Sequence, residues 1–245
     1  MPFPLLLASV DILGAFRDND WLGKGCILAL FIGSVFMVYL ILYKWAELAR
    51  VEFQNRRFEK MVDRDGSWEK LYAESRRYTE SSLARMLRET YLVCHLEKWF
   101  GTSQGIPLEH RVEIASATVG STISRVIQEE ERRLQRSLYY LAMAASVAPF
   151  IGLFGTVWGV LSAFQGLGRE GTANLTSLAP GVSTALSTTI AGLFVAIPAV
   201  IAHNYLSNRA SQILSSLESF ANELDNAVRK RILMDGKAGR RSATS

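Results

Sequence analysis

Ser146-Val-Ala-Pro-Phe-Ile-Gly-Leu-Phe-Gly-Thr-Val-Trp-Gly159 is the stretch from which the rest of this chain is read. It lies within residues 137–168, a run of 32 with no Asp, Glu, Lys, Arg or His. A soluble core helix needs no such length, and a bilayer span takes about 20 apolar residues. On a 3.6-residue helix, Ala145, Ala148, Gly152, Gly155, Gly159, Ser162/Ala163 and Gly166 fall along one line. They form a flat seam for the close approach of another helix, tightest at Gly155-xxx-Gly159. Thr156 stands on its flank. A seam of this kind serves helix packing in many membrane proteins, so any further role has to come from the rest of the chain.

The composition supports a membrane setting through segregation rather than through its averages. Hydrophobic residues make up 49% of 245 and charged residues 20%, and the two are separated into blocks. A formal charge of +4, with acids and bases alternating through the polar stretches, excludes the basic patch that nucleic acid requires. Cys26 and Cys94 fall in unlike surroundings and have no metal-ligand spacing, so neither a disulfide nor a metal or other cofactor is expected. The first ten residues lack a basic leader and read as no secretory signal.

Residues 26–43 are 18 uncharged positions between Trp21/Lys24 and Tyr43/Lys44/Trp45, the anchors of a first transmembrane helix. Before it, Phe3, Leu6, Leu7, Val10, Leu13 and Phe16 recur at helical spacing, as in an interfacial helix, the alternative being an unstructured terminus. Residues 44–136 hold 17 Lys/Arg and 15 Asp/Glu. Amphipathic helices are expected there, broken near Asp63-Arg64-Asp65-Gly66 and at the Gly101–Pro107 loop. From Pro107 the stripe Val112, Ala115, Val119, Ile123, Val126, Leu134 and Leu138 runs into the second span, which predicts one helix of about 90 Å at 1.5 Å per residue. After a polar turn at 169–174, residues 175–208 are again uncharged, and the period continues through Ile213, Leu217, Phe220, Leu224 and Val228. Residues 237–245 read as a basic tail.

The fold class is therefore an all-α membrane protein with three transmembrane helices, the second and third extended into a cytoplasmic helical bundle. Its parts are 1–20 (periplasmic interfacial helix), 21–43 (first span), 44–136 (cytoplasmic helices) and 137–168 (second span). Residues 169–174 (periplasmic turn), 175–208 (third span) and 209–245 (cytoplasmic helix and tail) complete it. Lys/Arg number 17 in the 44–136 region and 7 after Asn208, against 2 in the first 25 residues and Arg169 alone in the turn. The positive-inside rule puts the N-terminus outside and the C-terminus in the cytoplasm.

Hydroxyls crowd the third span. Thr176, Ser183, Thr184, Ser187 and Thr188 share one helical face with Pro180, and Thr189 lies off its centre. They can bond back to carbonyls and glue helices, or they can line a polar pathway. Pro149 and Pro198 each remove a backbone hydrogen bond and kink or break a helix. His203 sits where a snorkelling anchor is expected, with a proton relay as the alternative. Neither long span holds an acid or a Lys/Arg. If this chain conducts protons, the titrating group belongs to a partner. No nucleophile, base and oxyanion donors can be assembled from these parts, so an enzyme is not expected.

Three stretches resemble the MotA/TolQ/ExbB proton-channel family, in its TolQ/ExbB branch. They are Ala148-Pro-Phe-Ile-Gly-Leu-Phe-Gly-Thr-Val-Trp-Gly159, Leu178-Ala-Pro-Gly-Val182 with Ala185-Leu186, and Gly192-Leu-Phe-Val-Ala-Ile-Pro-Ala-Val-Ile-Ala-His-Asn204. The resemblance implies a multi-pass stator of the bacterial inner membrane. It would be a pentamer around the single spans of an ExbD/TolR-like partner whose membrane Asp carries the proton. It also implies pore threonines at Thr156 and at Thr189, with Thr188 beside it. Thr184 departs from the pattern, which has a glutamate there, and this points toward specialised relatives such as gliding-motility motors. The expected ion pathway is Thr156, Thr184, Ser187, Thr188 and Thr189, with Gly152, Gly155, Gly159, Pro149 and Pro198 shaping the packing. The alternative is a non-conducting membrane scaffold.

Orientation is tested by thiol labelling. Ser67→Cys and Ser242→Cys should stay shielded from an impermeant reagent in intact cells, while Ala173→Cys reacts. Labelling at position 67 from outside would reverse the topology.

Overall fold

The computed structural model describes residues 21–62, 68–100, 108–170 and 175–242. They form α1 (Trp21–Val62), α2 (Trp68–Ser75), α3 (Ser82–Phe100), α4 (Leu108–Gln135), α5 (Leu138–Glu170) and α6 (Leu175–Ser242), with no strand among the described residues. The expected interfacial helix at 1–20, the break near Asp63 and the 101–107 loop lie outside them. Two compact units result, one from described residues up to Lys44 with Ser137–Leu206, the other from Trp45–Arg136 with the chain after Leu206.

The first unit contains the apolar parts of α1, α5 and α6, three helices long and apolar enough to cross a membrane. Only 22%, 17% and 33% of their most apolar windows are buried within the chain, too little for a water-soluble core. Phe31 on α1, Phe150 on α5 and Ile201 on α6 are each at least 65% exposed. Apolar surface on this scale requires lipid or another protein to cover it.

The second unit has a conventional core. Phe58 of α1, Leu71 of α2, Leu83, Met86 and Leu87 of α3, Val119, Ile123 and Val126 of α4, and Leu217, Phe220, Leu224 and Val228 of α6 are buried together. Their spacing of three and four residues puts each set on one face of its helix. Each such side chain contributes about 1.5–3 kcal/mol on burial. Phe58 meets Tyr78 and Phe220 edge-on at centroid distances of 5.7 and 6.2 Å.

Polar groups lock the same unit. Glu130 has no exposed surface, and its carboxylate accepts from Ser82 Oγ at 2.9 Å and Arg85 at 2.6 Å. Burying it unpaired would cost about 3–5 kcal/mol, so these donors hold α3 against α4. A turn absent from the expected pattern separates α2 from α3. There Ser81 Oγ accepts the Ala84 amide at 3.1 Å, an N-cap for α3, and itself donates to Asn55 Oδ1 at 2.8 Å. At the other side of that turn, Arg88 donates to the Ser75 carbonyl at 2.6 Å and satisfies the end of α2.

Three boundaries differ from expectation. The single helix from Pro107 through the second span is interrupted at residues 136–137, between α4 and α5. The Arg136 amide still reaches the Arg132 carbonyl at 3.0 Å, so the interruption is local and falls on Ser137, a residue whose hydroxyl competes for backbone groups. α5 runs two residues into the expected turn, to Glu170. α6 continues to Ser242, where a tail beginning at Lys237 is expected, since Lys, Ala and Arg offset Gly239 there.

Arg56 and Arg209 both reach Glu52, Arg56 at 2.6 Å. The hydrogen bond from Arg209 holds the Glu52 carboxyl below the usual carboxylate range. A lowered folded-state pKa stabilises the protein above the unfolded value, about 4.3 for glutamate, and that stability is lost as pH falls through the folded value. Glu52→Gln should lower the unfolding temperature at pH 7. The gap from wild type should close as the pH is taken below the carboxylate range, where both side chains are neutral. A gap independent of pH would assign the loss to packing.

Candidate functional site

The small residues of α5 find their partner within the same chain. A methyl group built on Gly152 would sit 2.9 Å from the Thr188 carbonyl oxygen and 3.2 Å from Gly192 Cα. One on Gly192 would sit 2.7 Å from the Ala148 carbonyl oxygen. On Gly159 it would meet Ala185 Cβ at 2.7 Å, and on Gly181 it would meet Ala163 Cβ at 2.9 Å. α5 and α6 therefore touch backbone to backbone at Ala148/Gly192 and Gly152/Thr188, and glycine to alanine methyl at Gly159/Ala185 and Ala163/Gly181. Gly166 has nothing within 4 Å, so the contact line ends before it.

The α6 half of this seam is absent from the sequence reading. Its signal is the spacing of Gly181, Ala185, Thr188 and Gly192, small residues three and four apart, partly hidden by the hydroxyl face they interrupt. Pro149 and Pro198 lie inside α5 and α6, which continue through both.

Backbone contact brings three hydroxyls together. Thr156 Oγ1 donates to the Gly152 carbonyl at 3.0 Å, lies 3.4 Å from Thr188 Oγ1, and is directly hydrogen-bonded to Thr189 Oγ1. Thr188 and Thr189 reach across to the same Gly152 carbonyl at 3.1 and 3.3 Å. Thr188 is completely buried, whereas Thr156 and Thr189 are half-buried. Thr189, off the centre of the hydroxyl face on a helical wheel, thus belongs to the cluster. Thr184 and Ser187 do not join it: each bonds back into α6, Thr184 to the Pro180 carbonyl at 2.8 Å and Ser187 to the Ser183 carbonyl at 3.1 Å. The side chain of Thr176 lies outside the described residues. His203 turns its Nδ1 to the Leu138 carbonyl at 3.1 Å, tying α6 to the start of α5.

Chemically, the cluster offers hydroxyl and carbonyl oxygens and no group that ionises near neutral pH. It can orient water, hydrate a cation or hydrogen-bond a carboxyl group, but it cannot itself store and release a proton.

The paired Gly152 and Gly192 seam, with a threonine cluster at its centre, lies inside residues 100–219, which match the family model for the MotA/TolQ/ExbB proton channel family. The chain belongs to this family. The Tol-Pal system protein TolQ of Pseudomonas aeruginosa is 42% identical over 106 residues, 43% of this chain and 46% of that protein. The TolQ of Haemophilus influenzae is 42% identical over 112 residues, 46% of this chain and 48% of its own. The biopolymer transport protein ExbB of Salmonella typhimurium matches more weakly but further, 26% identical over 218 residues, 89% of this chain and 86% of that protein. The chain spans about half the length of the TolQ relatives it matches. The shared part of this MotA/TolQ/ExbB chain covers α4, α5 and the portion of α6 that carries the seam.

The seam makes an ordered forecast for alanine. At Gly152 and Gly192 the new methyl meets backbone, which cannot yield, so Gly152→Ala and Gly192→Ala should lower the unfolding temperature or abolish expression. Gly166→Ala, with open space, should be neutral or stabilise by up to about 1 kcal/mol from helix propensity. Thermal unfolding of the three purified variants checks the order, and equal behaviour would remove the close contact.

Proposed function

We propose that this chain is the channel-forming stator subunit of an ion-driven motor in the bacterial inner membrane, and that protons pass beside the α5–α6 pair. The observation that carries this reading is the Thr156–Thr188–Thr189 cluster, set between two spans that contain no Asp, Glu, Lys or Arg and, apart from His203, no side chain that titrates near neutral pH. Oxygen-rich but non-titrating groups at such a place suit the walls of a pathway whose titrating group is supplied by another molecule. The family's name as a proton channel family, and relatives described as a Tol-Pal system protein and a biopolymer transport protein, support the same reading.

On this reading the partner is an ExbD/TolR-like chain with one membrane span and an Asp within it. Copies of the present chain, five by resemblance, surround that span. The exposed apolar side chains of α1, α5 and α6 supply the surfaces for lipid, for neighbouring copies and for the partner. Thr156 and Thr189, being half-buried, face the partner's carboxyl group. Thr184 and Ser187 extend the polar path along α6. Ion flow moves the partner against the ring, and the work is delivered at the cell envelope.

The second reading is a non-conducting scaffold, favoured by one observation: every hydroxyl of the cluster is satisfied within the chain. Reconstitution separates the two. The purified protein alone should leave a proton gradient across liposomes intact. With the co-purifying single-span partner it should dissipate the gradient, and Asp→Asn in that partner's span should stop it. Thr156→Val should assemble normally and cut the flux. A sustained leak through this protein alone would remove the two-component mechanism and return His203 as a relay. Full flux in Thr156→Val would deny the cluster a place in the pathway.

A further inference from the structure

The hydroxyl cluster has more donors than its shared acceptor can hold. Gly152 O lies within reach of Thr156, Thr188 and Thr189, at 3.0, 3.1 and 3.3 Å. As a helical carbonyl it also accepts the amide four residues on, and a carbonyl oxygen has two lone pairs. One hydroxyl proton rests there at a time. Thr188 alone has a second carbonyl available, Ala185 O at 2.7 Å. Thr188 is also the member with no exposed surface, so its own proton never faces the pathway.

Two proton arrangements follow. With Thr188 donating to Ala185 O, Thr156 donates to Gly152 O and Thr189 donates to Thr156 Oγ1. The half-buried pair then offers only lone pairs to its surroundings. With Thr188 donating to Gly152 O, the Thr156 proton is displaced from that carbonyl. One proton of the pair then holds the two oxygens together, and the other is free to point outward. The exchange needs rotation about C–O bonds alone, and no covalent bond breaks.

We propose that Thr188 is a positioning residue whose hydroxyl, moving between the Ala185 and Gly152 carbonyls, sets whether the Thr156–Thr189 pair accepts a hydrogen bond from the ion pathway or donates one to it. The accepting setting matches a protonated carboxyl group, and the donating setting matches an ionised carboxylate. The inference rests on the proton-pathway reading, and it gives the two states of a passing carboxyl group a complementary wall each.

The test uses the complex drawn from its own membranes by a tag on this chain and reconstituted in liposomes with an enclosed pH-sensitive dye. Thr188→Val keeps the volume and removes the hydroxyl, which leaves Gly152 O to Thr156 and fixes the pair in the accepting setting. An ionised carboxylate there loses a donor, so its pKa rises. Proton flux should fall about two- to tenfold, the worth of one hydrogen bond, and its pH profile should move to higher pH. Thr188→Ser should restore both. Unchanged flux, or a fall without displacement of the profile, overturns the proposal and leaves Thr188 a packing residue. If the wild-type complex carries no flux, the pathway reading fails by itself. Thr188 is then judged by thermal unfolding of Thr156→Val, Thr188→Val and the double variant of the full chain. A shared acceptor makes their shifts non-additive, and additive shifts overturn the proposal.

Discussion

The membrane unit depends on the contact of α5 with α6 at Gly152 and Gly192, where one backbone rests on the other. Between apolar spans there is no hydrophobic force to spend, so association comes from van der Waals contact and from hydrogen bonds across the interface. Both need close approach. Glycine at 152 and 192 brings Thr188 and Thr189 within hydrogen-bond distance of a carbonyl on the other helix. The packing and the polar cluster are thus one feature: a side chain at either glycine would push the hydroxyls away from Gly152 O. Family membership is carried over this same region, residues 100–219.

What the membrane unit lacks shapes its chemistry as strongly. α5 and α6 cross their apolar stretch without an acid or a Lys/Arg, and the cluster between them consists of groups that only donate and accept hydrogen bonds. Most of the apolar surface of all three spans is left exposed by the chain itself. Apolar surface left open in this way is covered by lipid or by other protein.

The second unit is stabilised by different means. Its core is buried aliphatic and aromatic surface from five helices, in the manner of a water-soluble bundle. Polar specificity is concentrated at Glu130, Ser81 and Glu52, each holding one helix to another through a hydrogen bond to a distant part of the sequence: Glu130 and Glu52 accept, and Ser81 donates to Asn55. A buried, hydrogen-bonded group such as Glu130 is sensitive to the loss of a single partner, because low dielectric makes an unpaired polar group costly.

The sequence alone determined the all-α class, the three spans and the α5 seam, because each follows from local rules. Absence of charge over 32 residues has one cheap environment, and the 3.6-residue period aligns small residues whatever lies opposite. The family motifs and Thr156 were legible for the same reason. Other features rest on pairings that one helix cannot specify. Nothing local sets Glu130 apart from the acids beside it, and the Ser82 and Arg85 that pair with it lie 48 and 45 residues away. Ser81 gave no sign of an N-cap within a charged run. Thr189 fell off the polar face of α6 by helical wheel, while Thr184 and Ser187 fell on it. A wheel ranks residues about one axis, whereas membership of the cluster depends on where α5 crosses. Only the tertiary structure decided that Thr188 and Thr189 meet Thr156, because the backbone contact at Gly152 and Gly192 sets which turn of α6 faces which turn of α5.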